Sequence, residues 1–138
     1  MRTETIILSI HPSHIEKILS GEKRYEYRKR IPTDIRHIVV YATAPIKMIV
    51  ALIEIDSILK GTPESVWKKT KKHAGVSKDF FMFYFADHQD SYAIKFKTVF
   101  KLETPKSLMC LGNNIAAPQS YTYLTETTEE LCNKLGLK

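Results

Sequence analysis

Two apolar segments separated by a four-residue breaker set the narrowest limit on the architecture. His37-Ile-Val-Val-Tyr-Ala-Thr43 and Met48-Ile-Val-Ala-Leu-Ile-Glu-Ile-Asp56 are rich in β-branched residues, and Ala44-Pro45-Ile46-Lys47 between them carries a proline that marks a turn. Strands joined by so short a connection pair antiparallel, because a parallel crossover needs a dozen residues or more. Thr5-Ile-Ile-Leu-Ser-Ile10, ended by Pro12, reads as a further buried strand, placed in the sheet centre. Two more runs alternate with period two. In Lys23 to Arg30, Tyr25 and Tyr27 share one face while Arg24, Glu26, Arg28 and Arg30 share the other; in Ser91 to Leu102, Tyr92, Ile94, Phe96 and Phe100 oppose Lys95, Lys97 and Lys101. The expectation is that the aromatic faces are buried and the charged faces are polar surface.

Helix signals fall between these strands. Ser13 and Glu16 have the spacing of a capping box, Ile15, Ile18 and Leu19 lie on one helical face, and Gly21 supplies a left-handed stop. Thr62-Pro63-Glu64 starts a second helix that ends near Gly75, and Ser77 caps a third over Lys78 to Ala86. That third segment contains Phe80, Phe81, Phe83, Tyr84 and Phe85, which predicts a core plug with Tyr84 as its partly exposed member. A Gly112-Asn113-Asn114 loop leads to a last strand, Gln119 to Leu124, and to a helix capped by Thr127 and Glu130 that reaches Leu135. The order describes an α+β domain with a largely antiparallel sheet; a parallel doubly wound sheet is disfavoured.

At 138 residues and 43% hydrophobic content, the chain has enough apolar material for one core, so residues 1–138 read as a single domain. A net charge of +6 attracts polyanions such as nucleic acid or anionic membranes. No signal segment opens the chain and no apolar run approaches the roughly 18 residues of a membrane helix, which predicts a cytoplasmic protein without a membrane partner. Cys110 and Cys132 fit neither a disulfide framework nor a metal knuckle, and His11 and His14 flank Pro12 with no third ligand at metal spacing. No metal and no cofactor is expected, and the histidines read as capping or surface groups. Lys68, Lys69, Lys71 and Lys72 read as a solvated helix face, and Trp67 as buried against the aromatic cluster.

The sharpest local pattern is Gly21-x-Lys23-x-x-Glu26-x-Arg28, where a helix ends and a charged strand begins. With it go Leu8-Ser-Ile, Tyr41-Ala-Thr-Ala-Pro45, Gly75-Val-Ser-Lys-Asp-Phe-Phe81, Tyr92-Ala-Ile94 and Pro118-Gln-Ser120. Together these resemble the ASCH family, in particular a subgroup often described as transcriptional regulators with a PUA-like domain. The resemblance implies a PUA-like, mixed and largely antiparallel β-barrel flanked by short helices. Small amidohydrolases that remove acetyl groups from acetylated cytidine are similar in fold, but they carry a threonine nucleophile where this chain has Glu26.

Two functions follow. The first is a binding module for RNA, another nucleic acid or a nucleotide-like small molecule, with a role in transcription or RNA metabolism. Its site is Lys23, Glu26, Arg28, Tyr41, Thr43 and Gln119, with Lys95 and Lys97 meeting phosphates along their strand. The second is a small hydrolase, a nucleoside amidohydrolase or ribonuclease, with Lys23 and Glu26 as proton-transfer groups and Arg28 stabilising negative charge. A protein-binding regulatory domain stands behind both, and an ordinary surface ion pair is the bland reading of Glu26 with Arg28.

Overall fold

The strands that alternation and β-branching predict all form in the computed structural model, which describes residues 4–112 and 115–137. They are β1 (Thr5–Ile10), β2 (Tyr25–Arg28), β3 (His37–Ala42), β4 (Met48–Gly61), β5 (Ser91–Lys106) and β6 (Tyr121–Leu124). Between and after them lie α1 (Pro12–Ser20), α2 (Pro63–Thr70), α3 (Lys78–Tyr84) and α4 (Thr128–Leu135). The sheet order is β2-β5-β4-β3-β1-β6, with β1 parallel to β3 and every other pair antiparallel. Asn113 and Asn114 of the expected loop lie outside the described residues.

Register shifts near Glu54, Ile55 and Ser57 divide β4 into two halves. The first half pairs with β3, while the second runs along the part of β5 that carries β2. Such bulges bend a strand and increase its twist, so the six-stranded sheet curls into a half-barrel, in agreement with the PUA-like expectation. They also shift the phase of β5. Ile94 is buried, Phe96 and Val99 pack on the same cluster, and Phe100 is left 42% exposed, contrary to the expectation of a single face through Phe100.

Both faces of the central strands are covered. Ile6, Leu8, Ile38, Val40 and Ile53 pack with Ile15 and Ile18 of α1, while Ile7, Val39, Tyr41 and Leu52 pack with Leu131 and Leu135 of α4. That double coverage explains why all six residues of β1 are buried. A third cluster joins Tyr27 and Ala93 to Val66 of α2 and to Phe81 and Phe85 of α3.

The helix ends follow the sequence signals with two corrections, the first being that α2 stops at Thr70 and the chain reaches Gly75 through a 3-10 turn, Lys71–His73. His11, rather than Ser13, caps α1: its Nδ1 accepts the Ser13 N–H at 3.1 Å, and Pro12 takes the first helical position. Ser13 is therefore already inside the helix and cannot form the expected box with Glu16. Thr62, Ser77 and Thr127 cap α2, α3 and α4 as expected, the last in a full capping box with Glu130. Among the described residues, no helix is long and apolar enough to cross a membrane.

Candidate functional site

The site begins where α1 stops. Gly21, at φ 86°, ends the helix, and the Lys23 N–H turns back to the Lys17 carbonyl at 2.9 Å. Beyond α2, Gly75 lies directly against the stem of Lys23. The Lys23 Nζ donates to the Ala74 carbonyl at 3.0 Å, and Lys17 Nζ donates to the Gly75 carbonyl at 3.0 Å. Lys23 is only 2% exposed, and its ammonium sits 4.8 Å from the Tyr27 ring centroid. Burial pushes the Lys23 pKa down; Glu26 opposes that shift, and Lys17 and Arg28 add to it.

Register decides where the charged row of β2 points. Glu26 lies opposite Ile94 and Arg28 opposite Tyr92, and directly paired residues project from the same face of a sheet. That face belongs to the cluster under α1, while Tyr27, opposite Ala93, enters the cluster under α2 and α3. The middle of the charged row, Glu26 and Arg28, is therefore enclosed, which corrects the expectation of a polar outer face, while Arg24 and Arg30 at its ends stay exposed. Glu26 is 6% exposed. Its Oε2 accepts from Arg28 Nε at 3.0 Å and lies 2.9 Å from Nη2 as an ion pair, and its Oε1 stands 3.9 Å from Lys23 Nζ. Arg28 Nη2 also donates to the Ser9 carbonyl at 2.8 Å, and Nη1 to Ser120 Oγ at 3.5 Å. One guanidinium thus links β2, at one edge of the sheet, to β1 and the approach to β6 at the other.

These groups form the floor of a cleft of about 220 Å³ between α1, β2 and α3. His11 and His14 line it from α1, and Phe80, Phe81 and Tyr84 from α3. The rings of Phe80 and Tyr84 are parallel to within 3°, with centroids 6.4 Å apart, and the Lys29 ammonium lies 4.7 Å from the Tyr84 centroid. The His14 ring is 5.9 Å from Phe80. Burial lowers the His14 pKa against the opposing pull of Glu26, so the imidazole is held toward its neutral form. Thr70 Oγ1 donates to the Val66 carbonyl at 2.8 Å, so the Tyr27 hydroxyl, 2.7 Å away, is the donor to Thr70. Desolvation of that phenol raises its pKa to about 12.

Of the residues singled out from sequence, Lys23, Glu26 and Arg28 converge on the cleft. Tyr41 is buried on the α4 side, and Thr43, just past β3, gives its N–H to the Ile10 carbonyl at 3.1 Å. Lys95 and Lys97 are exposed on β5, 3.7 Å from Asp56 and 3.9 Å from Glu54 respectively. Gln119 is exposed beside Ser120. The structure adds His11, His14, Phe80 and Tyr84 to the cleft, the last of which the sequence predicts only as the partly exposed member of the aromatic segment. The (i, i+4) spacing of Phe80 and Tyr84, offset from that of Phe81 and Phe85, is the sequence signal that separates wall from core. Among the described residues, no group of three or more His, Cys, Asp or Glu could hold a metal ion.

Residues 8–106 match the ASCH domain family. The chain is 28% identical over 124 residues to the large ribosomal subunit protein uL22 of Ureaplasma parvum; the match covers 88% of this chain but only 40% of that protein's length. It is 27% identical over 130 residues to an ASCH domain-containing ribonuclease of Zymomonas mobilis, covering 91% of this chain and 88% of that protein. The crystal structure of ASCH from Zymomonas mobilis is similar with a TM-score of 0.83 at 26% identity, over 96% of this chain and 94% of that one. A mutant of that protein gives a TM-score of 0.84 at 24% identity, over 97% and 98%.

Proposed function

The chain belongs to the ASCH domain family, and on that premise we propose that it binds nucleic acid, RNA foremost, by seating one unpaired base or nucleotide-like group in the cleft between α1, β2 and α3. The observation that carries this reading is the composition of the cleft: charged hydrogen-bonding groups on the floor, parallel aromatic rings on one wall. Planar polar ligands are held in that way, by stacking on a ring face and by hydrogen bonds to an edge. Two cations against one carboxylate leave the floor net positive, and Lys29 at the rim suits a phosphate. The chain's net charge of +6 draws a polyanion toward it. The cellular setting in this proposal is regulation of transcription or RNA metabolism in the cytoplasm.

Ribonuclease activity is the second reading. A buried lysine of lowered pKa beside a carboxylate and a near-neutral histidine is suited to proton transfer, and a relative from Zymomonas mobilis bears the name ribonuclease. Removal of an acetyl group from a nucleoside is less well supported, because the oxygen of Glu26 nearest Arg28 is already held by a hydrogen bond and a close ion-pair contact to that guanidinium.

Incubating the protein with labelled single-stranded RNA, titrating binding and analysing the RNA by mass spectrometry tests both readings. The binding reading expects salt-dependent retention of intact RNA; cleavage that Lys23→Ala abolishes establishes the second. Absence of any retention at low salt removes the first.

A further inference from the structure

Glu26 uses its two oxygens unequally. Oε2 accepts from Arg28 Nε and lies 2.9 Å from Nη2, whereas among the described residues no protein hydrogen bond reaches Oε1, with Lys23 Nζ 3.9 Å away. Lys23 in turn gives one N–H to Ala74 and turns toward the Tyr27 ring, leaving donor capacity on the cleft side. An acceptor and a donor, both nearly withdrawn from water, therefore stand side by side on the cleft floor. Polar groups in that position are costly unless bonded, so the ligand that gains most offers a donor next to an acceptor on one edge.

The wall adds planarity. Because Phe80 and Tyr84 share one plane orientation, a flat ring laid against either is parallel to both. Unpaired bases present adjacent donor and acceptor groups in two forms. In cytosine and adenine an exocyclic amino group neighbours a ring nitrogen, whose single in-plane lone pair runs nearly parallel to the N–H beside it. The two partners must then stand close together. In uracil, guanine and hypoxanthine a ring N–H neighbours a carbonyl oxygen, which accepts over a broad range of directions and lets its partner splay away. A separation of 3.9 Å between Oε1 and Nζ is the splayed case.

We propose that the cleft selects an unpaired base with a lactam edge, its ring N–H donating to Glu26 Oε1 and its carbonyl accepting from Lys23 Nζ. Arg28 acts as a positioning residue, fixing the carboxylate so that Oε1 faces the ligand. This inference rests on the nucleic-acid-binding reading of the same cleft, and the two fail differently.

The test is fluorescence anisotropy with labelled, roughly ten-nucleotide oligoadenylates carrying one central uridine, inosine, cytidine or adenosine. Uridine or inosine is expected to bind at least about tenfold tighter than cytidine and adenosine, the discrimination of one good two-bond base contact. Methylating the reading N–H, as N3-methyluridine or N1-methylinosine, is expected to remove the advantage without any change to the protein. If the four oligomers bind alike, if cytidine or adenosine binds tighter, or if the methylated bases bind as well as their parents, lactam selection is overturned and nucleic-acid binding stands. If none binds at about 50 mM salt, both are overturned.

Discussion

Gly75 approaches Lys23 so closely that a Cβ at position 75 would lie 2.5 Å from the lysine Cβ and 2.7 Å from its Cγ. The contact is with the base of the lysine side chain, not its mobile tip, so the neighbour has little room to give. Position 75 also sits at φ +69°, which an L side chain adopts at a cost of about 1–2 kcal/mol. Gly75→Ala is expected to lose at least about 2 kcal/mol of stability, strain and overlap together, and to weaken ligand binding by displacing Lys23. Guanidinium denaturation alongside RNA titration checks this; an unchanged midpoint and unchanged affinity would show that the close approach does not organise the site.

Glu26→Gln is expected to cost about 3–5 kcal/mol, because it removes the one carboxylate between two largely buried cations. An outward-facing Glu26 would have made the same change nearly neutral for folding. Urea unfolding measures it, and a loss under about 1 kcal/mol would mean that Lys23 and Arg28 find other compensation.

Tyr27→Phe keeps the ring against Phe81, 4.8 Å between centroids, and deletes only the donor to Thr70. A loss of about 0.5–1.5 kcal/mol is expected, the net worth of one hydrogen bond, against about 3–5 kcal/mol for Tyr27→Ala. Equal losses in the two variants would contradict the packing role of the ring.

Acidification is expected to destabilise the fold. Burial lowers the pKa values of both His14 and His37 below the ordinary 6.5, with Glu26 opposing at His14 and Glu54 opposing at His37. The unfolded chain therefore takes up these protons first: the contribution is complete above 6.5 and is lost as pH falls through the folded values. Melting temperatures across this range should fall, and His14→Gln and His37→Gln should each flatten the trend. A flat profile in the parent protein would contradict the desolvation of both rings.

If RNA enters the cleft, the salt dependence of its binding reports which lysines meet phosphate. Lys29→Ala, at the rim, is expected to reduce the log–log slope by about 0.7, one single-strand phosphate contact. Lys95→Ala and Lys97→Ala, each beside a β4 carboxylate and away from the cleft, are expected to leave it unchanged. A reduced slope in either β5 variant would extend the contact surface along that strand.

Local chemistry was legible in the chain because it depends on neighbours in sequence. The caps at Thr62, Ser77 and Thr127, the stop at Gly21 and the strand at Lys23 to Arg28 needed only spacing and side-chain type. So did the grouping of Lys23, Glu26 and Arg28, which the helix-to-strand turn brings together. The misread cap at Ser13 shows the limit of such patterns: His11 is not among the usual capping residues, yet its ring reaches the free amide first.

What alternation leaves open is which of two faces is inside. A strand with tyrosines on one side and charges on the other reads as core and surface, but that inference holds only where one face meets water. Here α2 and α3 cover the tyrosine face, while α1 and the curl of β4 and β5 enclose the charged one. The partners that make the charged row tolerable are remote in sequence: Ala74 lies 51 positions from Lys23, and Ser120 lies 92 from Arg28. Sequence by itself determined the elements and the chemistry carried by β2. Only the tertiary structure turned that chemistry into a buried floor beneath an aromatic wall, because desolvation and closure of the sheet depend on segments that meet only when the chain is folded.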